Sequence, residues 1–508
     1  MKKFYLSTPL YYVNAAPHIG HAYTNVISDC TARFKRLKGD SVFFLTGTDE
    51  HGEKVKKAAE GCREDVEGFV DRESGRFKDL WKHLNISYDF FIRTSAEFHK
   101  ETVGKVIKIL YDKGDIYKAD YRGFYCMSCE SFWTESQVKE AGGCSLCGRE
   151  VEEIVEENFF FRLSKYEQWL KDHLKNNPDF IRPAIRYNEV AAFLEKNSLA
   201  DLCISRPKKR VSWGIDFPLD GNFVVYVWFD ALLNYISGVK FGVDNSEFKR
   251  WWPADVHFIG KDILRHHAIF WPIMLRALDL EPPRTILAHG WWKVDEEKIS
   301  KSKGNIVNPL ELTGIIGVDA FRYFLLREVS VGMDGNYSWP VIVNRINSDL
   351  ANDLGNLVFR VLNMSEKYFQ GRIEYPKEFI FQPVFAGSDF CRNYVNNMDK
   401  LDFSFVLKGL WEFINTMNKS IEDKKPWALW KEKRIDELRC LIWSLLEGIR
   451  IIAVYIYPFI PESSFSILKQ LGRGVNENSR LSLDDLALSK EGFIINKEGP
   501  LFPRIDVS

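Results

Sequence analysis

The chain has 508 residues, 45% hydrophobic and 27% charged, enough for two to four domains of ordinary globular composition. A net charge of -1 excludes a histone-like bulk attraction to nucleic acid, though it leaves local patches open. Nine cysteines, an odd number with four in two CxxC pairs, exclude a disulfide framework and fit a reducing compartment.

Met1-Lys2-Lys3 runs into a strand-like FYLST with no leader pattern, so a cytoplasmic protein is expected. Residues 3–8 read as a strand, TPLYYVNAAP as a loop, and an amphipathic helix begins near His18. Ser41 to Gly47 reads as a second strand, followed by TDEHG and another helix. Strand, loop, helix, strand, helix is a parallel nucleotide-binding α/β pattern, although no GxGxxG follows the first strand. From about 116 to 222 short strand-like runs, charged segments and cysteine pairs interrupt it, with a small basic cluster at Ser205 to Arg210 that reads first as a solvated loop. The α/β pattern resumes at Phe223 to Ile236 and runs through Val256 to Leu275 and Arg284 to Val294. From about 340 onward the period is helical. The most apolar stretch, Leu441 to Ile460, carries Glu447, Gly448 and Arg450, so a buried helix is expected and no membrane contact. The spans are therefore 1–115 and 223–290 for the two halves of an α/β domain, 116–222 for an insertion, 291–342 for a connecting region and 343–508 for a helical bundle.

Three motifs carry chemistry. Pro17-His18-Ile19-Gly20-His21 sits where the first loop turns into a helix. His18 and His21 share a helix face, helix-start amides favour phosphate, and Gly20 leaves room for a flat base. Two histidines that merely cap the helix would look the same. Lys298-Ile299-Ser300-Lys301-Ser302 follows 280 residues after His18 and suits a mobile loop closing on a triphosphate, or a solvated lysine loop. Cys126-Met-Ser-Cys129 and Cys144-Ser-Leu-Cys147, fourteen residues between them, supply four thiolates for one tetrahedral Zn2+. Four protein ligands leave no open position, so the zinc reads as structural, ahead of a catalytic zinc or a redox pair. The fold expected is thus α/β: a Rossmann-type parallel-sheet catalytic domain with an inserted zinc-knuckle domain and a C-terminal all-α helical bundle.

PHIGH and KISKS together, each at a strand end of one α/β fold, resemble the class I aminoacyl-tRNA synthetases. The resemblance implies that His18 and His21 bind ATP and stabilise the transferring phosphate. It implies that Lys298 and Lys301, with Ser300 between them, engage the phosphates, and that Mg2+ accompanies the ATP. Ile299 stands where the family has methionine, a conservative change.

The series TPLYYVNAAPHIGH, GTDEHG, the cysteine pairs, YVWFDALLNY, FIGKDILRHH, KISKSKGN and PLFPRID resembles the methionyl-tRNA synthetases over nearly the whole chain. That implies a pocket for L-methionine. Pro9, Leu10 and Tyr12 precede the ATP motif; Trp228, Ala231, Leu232 and Tyr235 share one helix face, and Ile263 and His267 another. An unbranched thioether needs such an aromatic slot, though any one aromatic stripe can equally be core. Asp49 is the candidate for the ammonium group, and Gly260 and Asp262 for the ATP ribose. An insertion of about a hundred residues leaves no room for a separate editing domain. In the helical part, Asn352, Asn356 and Arg360 form a polar stripe beside an apolar one at Leu350, Leu354, Leu357 and Val361. Asn356, Arg360 and Trp427 fall where the family reads the anticodon of tRNA(Met), initiator tRNA included. Amides and guanidinium can read unstacked bases and an indole can stack on one. The chain ends soon after PLFPRID, so a monomer is expected, and the count of ligands in the knuckle region implies one zinc. A class I synthetase for another amino acid and an HxGH nucleotidyl transferase are the alternatives.

Overall fold

The computed structural model describes residues 2–127, 131–133, 135–144, 148–294, 297–298, 307–376, 389–475 and 479–506. Six parallel strands form the central sheet: β1 (Lys3–Tyr12), β2 (Ser41–Asp49), β3 (Phe90–Arg93), β4 (Ile181–Arg182), β5 (Val256–Gly260) and β6 (Ile286–His289). Their order is β3-β2-β1-β5-β6-β4. The chain builds outward from β1 through β2 to β3, then returns to add β5 on the other side of β1. The gap between the carboxyl ends of β1 and β5 is therefore a topological switch point, where ligands bind in open α/β sheets. The strands at the centre of the sheet are largely buried, β5 and β6 almost from end to end, while the outer strand β3 is only partly covered.

One irregularity shapes the switch point. Ser7 of β1 faces Leu45 and Leu10 faces Gly47, so β1 carries an extra residue between them. Pro9 occupies this bulge, where a missing N–H costs no ladder bond.

Helix α1 (Ile19–Leu37) follows β1 and is buried on nearly every side. The carboxylate of Asp29, at its middle, accepts from Arg33 Nε at 2.8 Å and Arg322 Nη2 at 2.6 Å, and from the backbone and hydroxyl of Ser87. Burial opposes the charge, but the two guanidinium groups and Ser87 outweigh it and hold this carboxyl well below the usual carboxylate range.

The interrupted stretch forms a second, antiparallel sheet in which Ser131–Trp133, Ile116–Cys126, Glu152–Phe161 and Leu202–Cys203 lie in that order. It also contributes β4, which pairs with β6 at the edge of the parallel sheet. A two-residue strand has no readable period, so nothing in the sequence marked it. Next along the chain, α2 (Val227–Leu232) leads into β5, and α3 (Val318–Arg327) carries Arg322.

The remainder is largely helical, chiefly α4 (Asn356–Phe369), α5 (Phe403–Lys424), α6 (Pro426–Lys431) and α7 (Ile435–Ile456). Leu350, Leu354, Leu357 and Val361 are all buried, as their spacing predicts. The turns before α4 are wider than predicted: Ile346–Gly355 is π-helical. A short ladder between Arg372–Ile373 and Phe493–Ile494 also departs from the all-helical expectation. The apolar stretch within α7 is buried, with Arg450 paired to Glu447 at 2.6 Å, and among the described residues no helix is long and apolar enough to cross a membrane.

Candidate active site

His18 is the N-cap of α1. Its Nδ1 accepts from Gly20 N at 3.1 Å, while His21 Nδ1 accepts from His18 N at 3.3 Å. The bond from His18 N places the proton of the neutral His21 ring on Nε2, leaving that ring one N–H to donate. The rings stack with centroids 3.8 Å apart, and Tyr11 lies 5.0 Å beyond His21. Tyr11 is itself stacked on Phe77 and accepts from Asn25 at 2.6 Å. Burial, then the adjacent His18, pushes the His21 pKa well below that of free imidazole. A Cβ on Gly20 would lie 2.9 Å from the His18 ring, so glycine here lets that ring fold back onto the helix start. Capping and availability to a ligand are thus compatible.

The opposite wall comes from α2 and the end of β5. His267 Nδ1 donates to Ile263 O at 3.0 Å, which leaves Nε2 to accept from Tyr235 Oη at 2.8 Å. Trp271 Nε1 donates to His257 Nε2 at 3.2 Å, so His257 donates from Nδ1 to Ser7 Oγ, and its ring stacks on Tyr235 at 4.1 Å. His266 stacks on Trp228 at 3.8 Å, and its buried Nδ1 has no hydrogen-bond partner among the described residues. Burial pushes His267 down to about 4 and His266 down to about 3, the latter helped by His267 and Arg265. Trp291 Nε1 donates to Asp262 at 3.0 Å.

Both walls line one cavity of about 780 Å³. Of the predicted residues, Pro9, Leu10, Tyr12 and Asp49 line it, as do Trp228, Ala231, Leu232 and Tyr235 from α2 and the turn after it. Ile263 and His267 complete the expected methionine side, and His18, Gly20, His21, Gly260 and Asp262 the expected ATP side. Sequence reasoning missed Thr24, His266, His289, Gly290 and Trp291. Thr24 on α1 and His289 on β6 meet at 2.8 Å although 265 residues apart, a contact no local pattern encodes. It also missed Arg186 and Glu189, which reach the cavity from the interrupted stretch.

Lys298 lies in the two-residue strand Glu297–Lys298, paired to Trp292–Val294. Ser300 and Lys301 lie outside the described residues, as do Cys129 and Cys147. Cys126 and Cys144 are buried together beside Trp133. Far from the cavity in sequence, Asn356 is exposed, Arg360 pairs with Glu422, and Trp427 is 47% exposed rather than core. Asn352 is engaged by Arg504 of the PLFPRID segment, at 2.6 Å.

A switch-point cleft over a helix capped by two histidines is the architecture of a class I synthetase, and the family model described as tRNA synthetases class I (M) matches residues 4–362. The methionine–tRNA ligases of Caldanaerobacter subterraneus and Clostridium tetani are each 46% identical to this chain, over 100% of it and 79% of their own length. A Mycobacterium tuberculosis methionyl-tRNA synthetase in complex with methionyl-adenylate superposes with a TM-score of 0.93 at 41% identity, covering 99% of this chain and 100% of that one. The apo form of that synthetase gives 0.87 at 38% identity, covering 100% and 99%. The chain belongs to the methionyl-tRNA synthetases: it activates methionine and charges tRNA with it.

Proposed function

We propose that one cleft holds L-methionine and ATP together and forms methionyl-adenylate by in-line attack of the carboxylate on the α-phosphate, before transfer to tRNA(Met), initiator tRNA included. The observation that carries this is the single cavity lined by both residue sets. The thioether lies among Leu10, Tyr12, Trp228, Ala231, Leu232, Tyr235, Ile263 and His267 beside Pro9, and Asp49 receives the ammonium group. ATP lies over the start of α1, its phosphates on His18 and His21, its base against Gly20 and its ribose by Gly260 and Asp262. Lys298, Ser300 and Lys301 close over the phosphates, and Mg2+ arrives with them, held by phosphate oxygens and water. Nothing here forms a covalent bond to the protein; positioning and charge do the work. The test is ATP–pyrophosphate exchange with each proteinogenic amino acid, without tRNA. Exchange with methionine alone is expected, and exchange driven by another amino acid would overturn the pocket assignment.

The zinc reading is supported by the shared burial of Cys126 and Cys144 beside Trp133 and by the bond that Gly148 N donates to Cys144 O at 2.8 Å. Cys126, Cys129, Cys144 and Cys147 would hold one Zn2+ as thiolates, a structural cross-link. Chelating the metal is expected to lower the melting temperature and the refolding yield. Unchanged melting of demonstrably zinc-free protein would refute the structural role.

For the anticodon, the exposure of Asn356 and Trp427 and the pairing of Arg360, one turn after Asn356, with Glu422 at the end of α5 support the reading; Asn352 is the weakest of the four, since Arg504 already holds its oxygen. Trp427→Ala is expected to raise the tRNA KM about tenfold while sparing pyrophosphate exchange, a stacked base contributing about 1–3 kcal/mol. Equal loss in both assays would count against it. The proposed enzyme is a monomer and works in the cytoplasm.

A further inference from the structure

Helix α6 has only six residues, and its two flanking lysines, Lys425 and Lys433, take left-handed backbone conformations with φ of 46° and 55°. Pro426 and Leu429 anchor it in the core. Its other large apolar residues do the opposite: Trp427 is 47% exposed and Trp430, one turn on, 43% exposed. Leaving a large aromatic half in water forgoes part of its burial energy. One such residue is ordinary; two on adjacent turns of one short helix form a patch.

The surroundings of the patch indicate its occupant. Trp430 rests on Tyr368 of α4, with ring centroids 5.1 Å apart and a 34° tilt, which fixes the indole plane. Residues 422–434 hold five basic and three acidic side chains. Of the acidic ones, Glu422 is paired with Arg360 and Glu432 with Arg434. Lys425, Lys431 and Lys433 are exposed and make no ion pair among the described residues. Flat aromatic faces rimmed by uncommitted cations suit single-stranded nucleic acid, whose bases stack while its phosphates meet lysine. The spacing is suitable too. Arg360 touches the last turn of α5 and Tyr368 touches Trp430, so the chain from Glu422 to Trp430 runs along α4 between two points eight residues apart. That is about 12 Å of helix, the length of about three stacked nucleotides.

We infer that Trp430, backed by Tyr368, is a second base-stacking platform of this enzyme, taking an unpaired tRNA nucleotide beside the one on Trp427, with Lys431 and Lys433 on the adjoining phosphates. The inference rests on the anticodon reading of Trp427. Stacking is indifferent to base identity, so Trp430 contributes affinity and leaves selection to its neighbours.

The test uses the full chain, the variants Trp430→Ala, Trp430→Tyr and Trp427→Ala, and tRNA transcripts carrying single abasic nucleotides through the anticodon loop. Trp430→Ala is expected to raise the tRNA KM for charging about tenfold, with methionine-dependent pyrophosphate exchange and melting temperature unchanged. Trp430→Tyr should restore most of the loss. On one abasic transcript the penalty of Trp430→Ala should vanish, because the base it would hold is already missing. A tRNA KM unmoved by Trp430→Ala but raised by Trp427→Ala overturns the second platform alone. A penalty that persists on every abasic transcript also overturns it and makes Trp430 a packing residue. Indifference to both alanine variants removes the anticodon reading, and this inference with it.

Discussion

His21→Ala is expected to cut methionine-dependent pyrophosphate exchange by about 10²–10³-fold, the usual cost of removing one donor aimed at developing transition-state charge. The backbone bond from His18 N occupies His21 Nδ1, so Nε2–H is what the ring can offer a phosphate oxygen. The ring is also fixed before ATP arrives, held between His18 at 3.8 Å and Tyr11 at 5.0 Å, so little reorganisation accompanies the reaction. The loss should fall on kcat, with the methionine KM nearly unchanged, since the aromatic wall across the cavity is untouched. Melting temperature should drop only slightly, because the side chain's direct bond is the helix-end contact with His18. Normal exchange by a correctly folded variant would mean that the triphosphate lies elsewhere.

The parts of this site legible in the sequence share a property: each is written within a few consecutive residues. PHIGH lies on a strand-to-helix turn, and the turn is what aims both rings. Trp228, Ala231, Leu232 and Tyr235 follow helical spacing, and the structure breaks that helix after Leu232 without moving Tyr235 off the cavity. What could not be read depends on which strands become neighbours. His289 reaches the site only because β6 pairs beside β5, bringing its ring to Thr24 of α1. Arg186 and Glu189 arrive because β4 docks at the sheet edge just before their helix. The π-helical turns before α4 have the same character. Leu350 and Leu354 mark the buried face at either pitch, whereas the partner of Asn352, Arg504, is 152 residues away.

The same logic applies to Asp29. An aspartate in the middle of an apolar helix reads as a polar blemish until its partners are known. Arg322 then joins it to the carbonyls of Leu84, Pro458 and Phe459, so one buried guanidinium ties α1, which carries the two histidines at its start, to the end of α7 and to the loop before β3. A buried pair of this kind contributes little net stability, but it fixes how the helical half seats against α1.

Acidification from pH 7 to pH 5 is expected to destabilise the fold, and two histidines in the aromatic wall of the cavity, His266 and His267, supply about 4 kcal/mol of the loss. In the unfolded chain a histidine takes up its proton near pH 6.5. In the folded protein burial pushes His267 down to about 4 and His266 down to about 3. Between those limits the unfolded state binds more protons, so stability falls as pH falls. At 1.36 kcal/mol per pH unit, each ring costs about 2 kcal/mol at pH 5. His21, His257 and His289 are depressed too and act in the same direction. Asp319 opposes them: burial raises it to about 6 despite the bonds from Ser463, so between pH 6 and 4 its folded form binds the extra proton and recovers about 1 kcal/mol at pH 5. Asp29 contributes nothing to this window, because a depressed carboxylate loses its stabilising effect only below the unfolded value near 3.9. His266→Phe isolates one contribution. Phenylalanine keeps a ring to stack on Trp228 and removes the buried Nδ1 that has no partner. Denaturant melts at pH 7 and pH 5 should show the acid loss reduced by about 2 kcal/mol in the variant. An identical loss in the two proteins would mean that this ring is already protonated, or open to water, at pH 5.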